Sequence, residues 1–422
     1  MSKANVQSWP EEKLADICEI NIGGTPSRSV PAFWAEPPAG NPWLSIADIK
    51  TKYLIETSEH ITDLGARSSN VKAISPDTMV MSFKLSVGKA GIVKTAMYCN
   101  EAIAIFQPIR SRVDHRWLYF ALPRAAASAV TDTAVKGVTF NKASLAQLEL
   151  AVPEIPVQSK IAEILDTLDA AIRGTEAVVA KLRAMKQGLL HDLLTRGIDE
   201  GGDLRPPQPE APLLYKQTPL GWLPKEWDAR LLDEVAIRGS GHTPSKSIAS
   251  YWNGGIKWVS LADSHRLDQV FIRETDKEIS EAGLANSSAV RHPENTVILS
   301  RDAGIGKSAI LASEMAVSQH FMAWRCGSKL NHVFLYYLLQ REKPRFEAIA
   351  MGSTIKTIGL SFFKKYMIAL PPKDEQDRSA EILLEIESDI VRHEQELQKL
   401  RATKSGLMDD LLTGRTPVTA LL

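Results

Sequence analysis

Two long segments of the chain carry apolar residues at helical spacing. Residues 157–195 contain no proline, and apolar positions recur there in alternating steps of four and three. This spacing is typical of a coiled-coil seam. The pattern returns 218 residues later with polar breaks at matching places. The predicted seam consists of Leu165, Leu168, Ile172, Val179, Leu182, Leu189 and Leu193 in the first segment and of Leu383, Ile386, Ile390, Leu397, Leu400, Leu407 and Leu411 in the second.

Both segments expose an apolar stripe if they stay alone, so pairing with each other within one chain is the cheapest way to bury it. Lys186 and Lys404 interrupt the stripe at the same place in each segment. We interpret them as a polar layer that sets the register, with the amine reaching the edge of the helix pair. Antiparallel pairing would hold the flanking globular regions at opposite ends.

The remainder of the chain is also an internal repeat. Trp9 matches Trp227 at a shift of 218 residues, and Thr25-Pro26-Ser27 matches Thr243-Pro244-Ser245 at the same shift. Trp43 matches Trp258 at 215 residues, which predicts a three-residue insertion in the Pro-rich loop at residues 37–42. Short β-branched and aromatic runs broken by Gly, Pro and Asn indicate mixed α and β structure in each half.

The sequence therefore predicts an α+β fold with two pseudo-symmetric α/β domains separated by a long antiparallel two-helix coiled coil. The predicted boundaries are a first globular domain at 1–153, a first long helix at 154–197, a Pro-rich linker at 198–222, a second globular domain at 223–371, a second long helix at 372–414 and a tail at 415–422.

Composition limits the possible functions. Lys and Arg balance Asp and Glu at 50 each, so any nucleic-acid interface must be a local basic patch. No apolar run is long enough for a membrane span and the start does not resemble a signal peptide, so we expect a cytoplasmic protein with no membrane partner. Cys18, Cys99 and Cys326 lack CxxC spacing, which suits a reducing compartment and disfavours zinc.

Three motifs then carry a resemblance. Pro371-Pro372-x-x-Glu375-Gln376 leads into the second long segment, Gly406-Leu407-Met408-x-x-Leu411-Leu412-Thr413-Gly414 closes it, and Gly221-x-Leu223-Pro224-x-x-Trp227 opens the second globular half. Together with the repeat, they resemble the Type I restriction-modification specificity (S) subunit family, from about Trp9 to Thr413. The first half departs from the pattern, since it lacks the second Pro and the Glu of the first motif. We expect slightly different helix starts from this departure.

The resemblance implies two target recognition domains that each contact one part of a bipartite double-stranded DNA site, with the helices setting the spacing. It also implies docking of two modification subunits, which bind S-adenosylmethionine and methylate adenine, and of restriction/translocase subunits. The chain itself would hold no cofactor and no catalytic or metal-binding residue.

Two local patterns could suggest hidden catalysis, and neither is complete. The stretch from Asp302 to Ser308 resembles the end of a phosphate-binding loop, but Arg301 stands where that motif needs Gly. A tight turn that offers Lys and backbone N–H groups to a DNA phosphate, or a plain exposed turn, explains it better. Asn41-Pro42-Trp43 faintly resembles a base-extrusion loop of adenine methyltransferases but lacks the second Pro.

Base recognition needs side chains that make paired or charge-assisted hydrogen bonds, such as Arg, Lys, Asn, Gln, Ser or Thr, on loops. For any one of them, ordinary solvated surface is the competing interpretation. Matched positions such as Lys89 and Lys307 are expected to contact phosphate or hold the fold, and unmatched ones such as Arg67 and Arg301 to read bases. The candidates are Arg28, Arg67, Ser68, Asn70, Lys84, Lys89, Thr139, Asn141 and Lys142 in the first half and Lys246, Arg291, Arg301, Lys307, Gln319, His320, Thr354 and Lys356 in the second.

Two other classes of function stay open at this stage. The chain could be a fragment of an enzyme in which recognition domains are fused to a methyltransferase, although its length and missing motifs disfavour this. It could also be a structural adaptor that bridges proteins through its helices without DNA. Salt-dependent binding to a split site separates the adaptor from the specificity subunit, and methyl transfer by the chain alone would identify the enzyme.

Overall fold

The structure is a computed structural model that describes residues 9–84, 86–109, 112–132, 140–350 and 357–418. Its internal contacts divide the chain into two compact units. The first unit combines the chain up to Glu176 with the part from Gln395 onward, and the second unit is Ala177–Glu394. The boundary therefore falls within both long helices. No helix in the described part of the chain combines the length and apolar character needed to cross a bilayer.

The first globular region, residues 11–151, is built from short strands and four helices and leads into the first long helix. Its strands are β1 (Glu11–Lys13), β2 (Cys18–Ile22), β3 (Trp34–Ala35), β4 (Asn41–Leu44), β5 (Tyr53–Leu54), β6 (Glu59–Ile61), β7 (Met79–Ser82), β8 (Ala90–Val93), β9 (Tyr98–Cys99), β10 (Ile103–Pro108) and β11 (Glu149–Ala151). The helices are α1 (Leu14–Ile17), α2 (Asp63–Arg67), α3 (His115–Asp132), α4 (Lys142–Ala146) and the long α5 (Ile155–Leu193).

The second globular region repeats this order with three additional strands and with one strand in place of β3 and β4, and it leads into the second long helix. Its strands are β12 (Tyr215–Thr218), β13 (Gly221–Pro224), β14 (Asp228–Leu231), β15 (Ala236–Ser240), β16 (Trp252–Val259), β17 (Phe271–Ile272), β18 (Lys277–Ile279), β19 (Arg291–His292), β20 (Val297–Ser300), β21 (Ser308–Leu311), β22 (Met315–Val317), β23 (Phe321–Cys326) and β24 (Met367–Leu370). The helices are α6 (Leu232–Val235), α7 (Glu281–Ala285), α8 (His332–Ile349), α9 (Leu360–Phe363) and the long α10 (Lys373–Leu411).

The sheets show that the repeat in the sequence is a repeat in topology. Each unit contains a five-stranded sheet, in the order β2-β10-β7-β8-β5 in the first and β15-β23-β20-β21-β17 in the second. The central strands pair antiparallel and the last strand pairs parallel in both units. Each unit also has a four-stranded sheet, β3-β6-β4-β9 or β18-β16-β22-β19. The predicted α+β class with two repeated domains is confirmed.

The predicted insertion lies between two strands of the smaller sheet. In the first unit, residues 36–40 separate β3 from β4 and include a cis bond between Pro37 and Pro38. In the second unit one strand, β16, covers both positions and absorbs the shorter connection with an irregular register between Trp252 and Ile256. Asn253 and Gly255 adopt positive φ there, which lets the backbone turn sharply.

One apolar core joins each globular region to the ends of two long helices. In the first unit, Phe106 and Trp117 of the globular region share a core with Ile161 near the start of α5 and Leu411 at the end of α10. The second unit has the reciprocal arrangement, in which Trp324 and Phe334 pack with Leu383 near the start of α10 and Leu193 at the end of α5. Since the start of one helix and the end of the other meet the same core, the two helices run antiparallel in each unit.

Both long helices span 39 residues, and their first residues, Ile155 and Lys373, are equivalent at the shift of 218. The expectation of different helix starts is therefore wrong. The reason is the Gln that both repeats contain one residue after the position of the missing Glu. Gln158 and Gln376 each donate to the carbonyl of the proline five residues earlier, at 2.7 and 2.8 Å, and so fix the first turn in the same way. The Glu that only the second repeat contains has another task, described below.

All fourteen predicted seam residues are buried or half-buried, and none is exposed. Two ion pairs cross between the helices at equivalent levels. Lys404 contacts Asp169 at 2.5 Å in the first unit, and Lys186 contacts Glu387 in the second. Each amine also faces an aromatic ring in the same unit. Lys404 lies 5.5 Å from the ring of Phe120, and Lys186 lies 5.8 Å from that of Tyr337. The lysines that interrupt the seam thus pair across it, with their charges at the edge of the apolar layer.

A second pair of ion pairs gives the same register. Arg401 contacts Glu176 at 2.7 Å in the first unit, and Arg183 contacts Glu394 at 2.5 Å in the second. These side chains are largely exposed, so each pair contributes little stability. Their value lies in register, because a slip of one helix along the other would separate all four ion pairs together.

The linker between the repeats is fixed to the start of α10 by a buried carboxylate. Glu375 accepts hydrogen bonds from both terminal nitrogens of Arg205 at 2.6 and 3.0 Å, from the indole N–H of Trp227 at 3.1 Å and from the backbone N–H of Ile198 at 2.9 Å. Burial works to lower the pKa of Arg205, and the bonds to Glu375 outweigh it, so the pKa is raised. Gly197 has φ of +62°, and a Cβ there would lie 2.0 Å from Glu375 Oε1.

The first unit lacks this arrangement. Val157 occupies the position equivalent to Glu375, and the indole N–H of Trp9 is buried with no hydrogen-bond partner among the described residues. The Glu of the sequence motif therefore serves to hold the linker, which only the second unit contains, rather than to begin the helix.

Replacing Glu375 by Val, as found at the equivalent position of the first repeat, should lower the free energy of unfolding of the second unit by about 3–5 kcal/mol. The reason is that the buried guanidinium of Arg205 would lose its hydrogen bonds to the carboxylate and keep only the one to the Arg196 carbonyl, while the indole N–H of Trp227 would lose its acceptor. Urea denaturation measures the change. Glu385→Val, at an exposed position of the same helix, is the matched control and should cost less than about 1 kcal/mol. Equal losses in the two variants would contradict the role given to Glu375.

Candidate nucleic-acid interface

Three segments that are distant in sequence meet at one end of each five-stranded sheet. In the first unit these segments follow β2, follow β7 and precede β10. They lie together because the last residues of β2 and β7, Ile22 and Ser82, pair with Ala104 and Ile103 at the start of β10. In the second unit the equivalent segments meet around the start of β23. We call these regions the loop ends, comprising residues 23–30, 83–84 and 100–102 in the first unit and residues 241–248, 301–302 and 318–320 in the second.

The Thr-Pro-Ser loop is anchored in the same way at both loop ends. The indoles of Trp34 and Trp252 donate to the carbonyls of Ser27 and Ser245 at 3.2 and 3.1 Å. A second Trp in each unit donates to the backbone two residues before the loop's Pro, and it packs edge-on against the first with ring centroids 5.2 Å apart. These second tryptophans are Trp43 and Trp258. Four tryptophans thus hold two loops in one conformation, which leaves the exposed loop residues free to differ.

The loop threonine orients a polar side chain from the neighbouring segment. Thr25 donates its hydroxyl to Glu101 Oε2, and Thr243 donates to Gln319 Oε1 at 2.5 Å. The bond from Thr25 lowers the pKa of Glu101, and the nearby charges of Lys84 and Arg28 act in the same direction against a smaller effect of burial. Glu101 therefore stays ionised at neutral pH. Both side chains belong to exposed residues.

The cation on the loop is bound differently in the two units. Arg28 lies over the ring of Trp34 at 3.8 Å and pairs with Glu59, whose hydrogen bond raises the pKa of the guanidinium. In the second unit the equivalent residues are Lys246 and Lys277, both basic. Neither forms an ion pair with a described residue. The second unit therefore has two amines without an ion pair at and beside its loop end, where the first unit has a guanidinium paired with Glu59.

A hydrogen-bonded chain without a counterpart extends across the second loop end. Gln319 lies 3.4 Å from His320 Nε2, and His320 Nδ1 lies 2.6 Å from Asp302. The hydroxyl of Thr357 donates to the other oxygen of the same carboxylate. The first unit has Ala102 and Lys84 at the positions of His320 and Asp302, so the chemistry of the two ends differs while their backbones match.

Several other predicted residues lie near the first loop end. Arg67, Ser68 and Asn70 lie at and after the end of α2, and Arg67 forms no ion pair with a described residue. The Asn70 side chain lies against the loop, since a Cβ at Gly24 would be 2.3 Å from its Oδ1. Lys84 lies 5.3 Å from the ring of Phe83, and Lys89 is exposed in the turn after β7.

Other predicted residues have structural partners. Asn141 caps α4 by accepting from the Ser144 backbone at 2.8 Å, beside the exposed Lys142. Arg291 pairs with Glu314 and Glu281, whose hydrogen bonds raise its pKa. Thr139, Thr354 and Lys356 lie outside the described residues.

The two turns that follow β7 and β20 are hairpin turns. Gly304 and Gly306 have φ of +79° and +80°, and the chain continues into strand β21. A phosphate-binding loop leads into a helix, so this stretch is not one. The amine of Lys307 donates to the carbonyl of Ser264 at 2.8 Å and holds the turn, whereas Lys89 is exposed. Arg301 is half-buried, and its Nε lies 3.7 Å from Asp302 without a hydrogen bond to a described residue.

The sequence reasoning missed the residues that organise the loop ends. The candidates did not include Thr25, Trp34, Trp43 or Glu101. Of their counterparts in the second half, only Gln319 was a candidate. The signal was present, because the Thr-Pro-Ser loop and both tryptophans repeat. A loop that repeats in both halves indicates a structural role, and its threonines and tryptophans do have one. The residue that each threonine orients differs between the halves, and it belongs to the loop end as well.

Three features of the described residues bear on a metal site, a reactive thiol and a base-extrusion loop. Among residues 9–418 outside the gaps given above, no group of three His, Cys, Asp or Glu side chains is placed to hold a metal ion. Burial raises the pKa of the Cys18 and Cys326 thiols to about 12, which makes them poor nucleophiles. Asn41, on β4, donates to Asp63 at the start of α2 at 2.9 Å, so its amide has a structural partner.

Two equivalent domains with variable loop ends, each closed by paired helices, define a protein with duplicated binding modules. The family described as "Type I restriction modification DNA specificity domain" matches residues 7–183 and 224–402, most of the chain, and the chain belongs to this family. Each match covers one globular region together with part of its long helix.

Two similar proteins from Methanocaldococcus jannaschii agree with this assignment. The chain is 28% identical to the specificity subunit of the Type I restriction enzyme MjaIX over 40% of each chain. It is 23% identical to the specificity subunit of the Type I restriction enzyme MjaVIII over 80% of this chain and 77% of the relative.

Among solved structures, the S subunit of a Type I restriction-modification system from M. genitalium aligns with a TM-score of 0.57 at 13% identity, covering 99% of this chain and 98% of that one. A chain from a study of complex assembly and conformational transition of the type I R-M system aligns at 0.56 and 15% identity, over 97% and 98%. The HsdS subunit from Thermoanaerobacter tengcongensis aligns at 0.50 and 15%, over 99% and 100%. At these identities the likeness concerns the fold.

Lys307→Ala should lower the free energy of unfolding of the second unit by about 1.5–3 kcal/mol, because the Ser264 carbonyl loses a charged donor. The equivalent change Lys89→Ala removes an exposed amine and should stay within about 0.5 kcal/mol. Urea denaturation of both variants measures this. A loss for Lys89→Ala as large as that for Lys307→Ala would show that the two turns are held alike.

Proposed function

We infer that this chain is the DNA-reading subunit of a Type I restriction-modification complex and recognises a bipartite site in double-stranded DNA. Each globular region is a target recognition domain that contacts one part of the site with its loop end. The observation that carries this proposal is the pair of loop ends, which share one scaffold and differ in their exposed side chains. Two domains with the same scaffold and different loop-end side chains are suited to two half-sites of different sequence.

The charges at and beside the loop ends support two kinds of DNA contact. Free amines at Lys89, Lys246 and Lys277 are suited to phosphate contacts, which position a protein without reading sequence. Side chains that differ between the halves, among them Arg67 and Arg301, are suited to base edges. Since the whole chain is neutral, these local cations supply the electrostatic attraction to DNA.

The chain acts as a recognition subunit and carries out no catalysis itself. Two modification subunits, which hold S-adenosylmethionine and methylate adenine, dock with it, and restriction/translocase subunits join the complex. One structural neighbour comes from work on complex assembly in a type I R-M system, which supports subunit partners in general. DNA as the target and the free thiols of all three cysteines suit a cytoplasmic location.

The test uses the full chain, alone and with a modification subunit, on a library of randomised duplexes with S-adenosylmethionine present. The proposal predicts methylation of one split motif by the complex only, and binding that weakens at least about tenfold between about 50 and 200 mM salt. Lys89→Ala should reduce the salt slope by about one without changing the motif.

The other outcomes identify the alternative functions. Absent or salt-independent DNA binding in the presence of the partner would identify an adaptor. Methyl transfer by the chain alone would identify a fused enzyme. A continuous motif with no unspecified spacer would contradict the assignment of one half-site to each domain.

A further inference from the structure

Glu101 and Gln319 occupy the same place in the two repeats. They are equivalent at the shift of 218, each lies just before the central strand of its five-stranded sheet, and each is exposed. A threonine of the anchored loop donates to each side chain. The backbone and the orienting bond are therefore the same, and the chemical difference is confined to the end of the side chain.

That difference changes which base can be recognised. An ionised Glu only accepts hydrogen bonds, so in the major groove it pairs with an exocyclic amino group, as of cytosine. A Gln amide accepts and donates at once, which matches the amino group and N7 of adenine. Because one oxygen of each side chain already accepts from a threonine, rotation of the side chain is restricted. That oxygen keeps a second lone pair, so it and the other polar atom can both meet a base in a defined direction.

The surroundings of each side chain fit its charge. A carboxylate near DNA is repelled by phosphates unless cations lie nearby, and Lys84 and Arg28 are the cations that act on Glu101. Gln319 is neutral and lies beside His320, which is bonded to Asp302. The anionic side chain thus has basic neighbours, while the neutral one is buttressed by a hydrogen-bonded chain.

We propose that Glu101 and Gln319 are specificity-determining residues at equivalent positions of the two domains, with Glu101 selecting cytosine and Gln319 selecting adenine at one position of their half-sites. The proposal rests on the proposed function. It also assigns the two loop threonines a positioning role, since they orient the base-reading group without contacting the base.

The experiment exchanges the two side chains. Complexes of the full chain with a modification subunit, carrying Glu101→Gln or Gln319→Glu, methylate the randomised duplex library, and the methylated motif is sequenced. Glu101→Gln should shift one position of one half-site from cytosine towards adenine by about tenfold or more, with the other half-site and the spacer unchanged. Gln319→Glu should shift one position of the other half-site from adenine towards cytosine.

Thr25→Val provides a second line of evidence. It removes the hydroxyl that orients Glu101 and should relax preference at the same position that Glu101→Gln shifts. Glu149→Gln is the matched control, because Glu149 is an exposed carboxylate on β11, which pairs with β1 away from the loop end. It should leave the motif unchanged.

The failures of the two proposals are distinguishable. If the unmodified complex methylates a split motif and both exchanges leave every position unchanged, the assignment of Glu101 and Gln319 is overturned while the proposed function stands. Uniform loss of methylation with no change of base preference also overturns it, since the side chains would then hold the loops. If the unmodified complex shows no split motif, the proposed function fails, and this assignment fails with it.

Discussion

Each globular region completes its core with two helical ends that are far apart in sequence. The start of α5 and the end of α10 close the core of the first unit, and the end of α5 and the start of α10 close that of the second. Neither region can bury its apolar surface with its own helix alone. The antiparallel direction of the helices follows from this requirement, and the ion pairs at Lys186 and Lys404 then fix how far one helix extends along the other.

Sharing of helices also explains the asymmetry of the buried polar groups. The second unit must accommodate the linker that connects the repeats, and Glu375 does so by accepting from Arg205, Trp227 and the backbone of Ile198. The first repeat has no linker to hold, and Val157 replaces the carboxylate. The difference between Val157 and Glu375 therefore reflects the presence of the linker in the second unit only. It does not change where the long helices begin.

Much of the fold could be predicted from the sequence, because its determinants are local or repeated. The seam at Leu165 and Leu383 has helical spacing, and the matched lysines predict a matched layer. The partners of Glu375 could not be predicted, since Ile198 and Arg205 belong to the linker and Trp227 to the second globular region. At the loop ends, the types of side chain are evident from the repeat, but the anchoring of the loop by Trp34 and Trp43 and the neutralisation of Arg28 depend on long-range contacts.

We propose that the length of the paired helices sets the number of unspecified base pairs between the two half-sites. The most direct measurement inserts one heptad after Val179 in α5 and one after Leu397 in α10, which preserves the seam, and sequences the methylated motif. Seven residues lengthen each helix by about 10 Å, which corresponds to about three base pairs of DNA. The unspecified spacer should therefore lengthen by about three base pairs, with both half-sites unchanged. The same insertion in the exposed turn at Gly201 and Gly202 should change nothing. A spacer that stays constant in the helix variant would contradict the account.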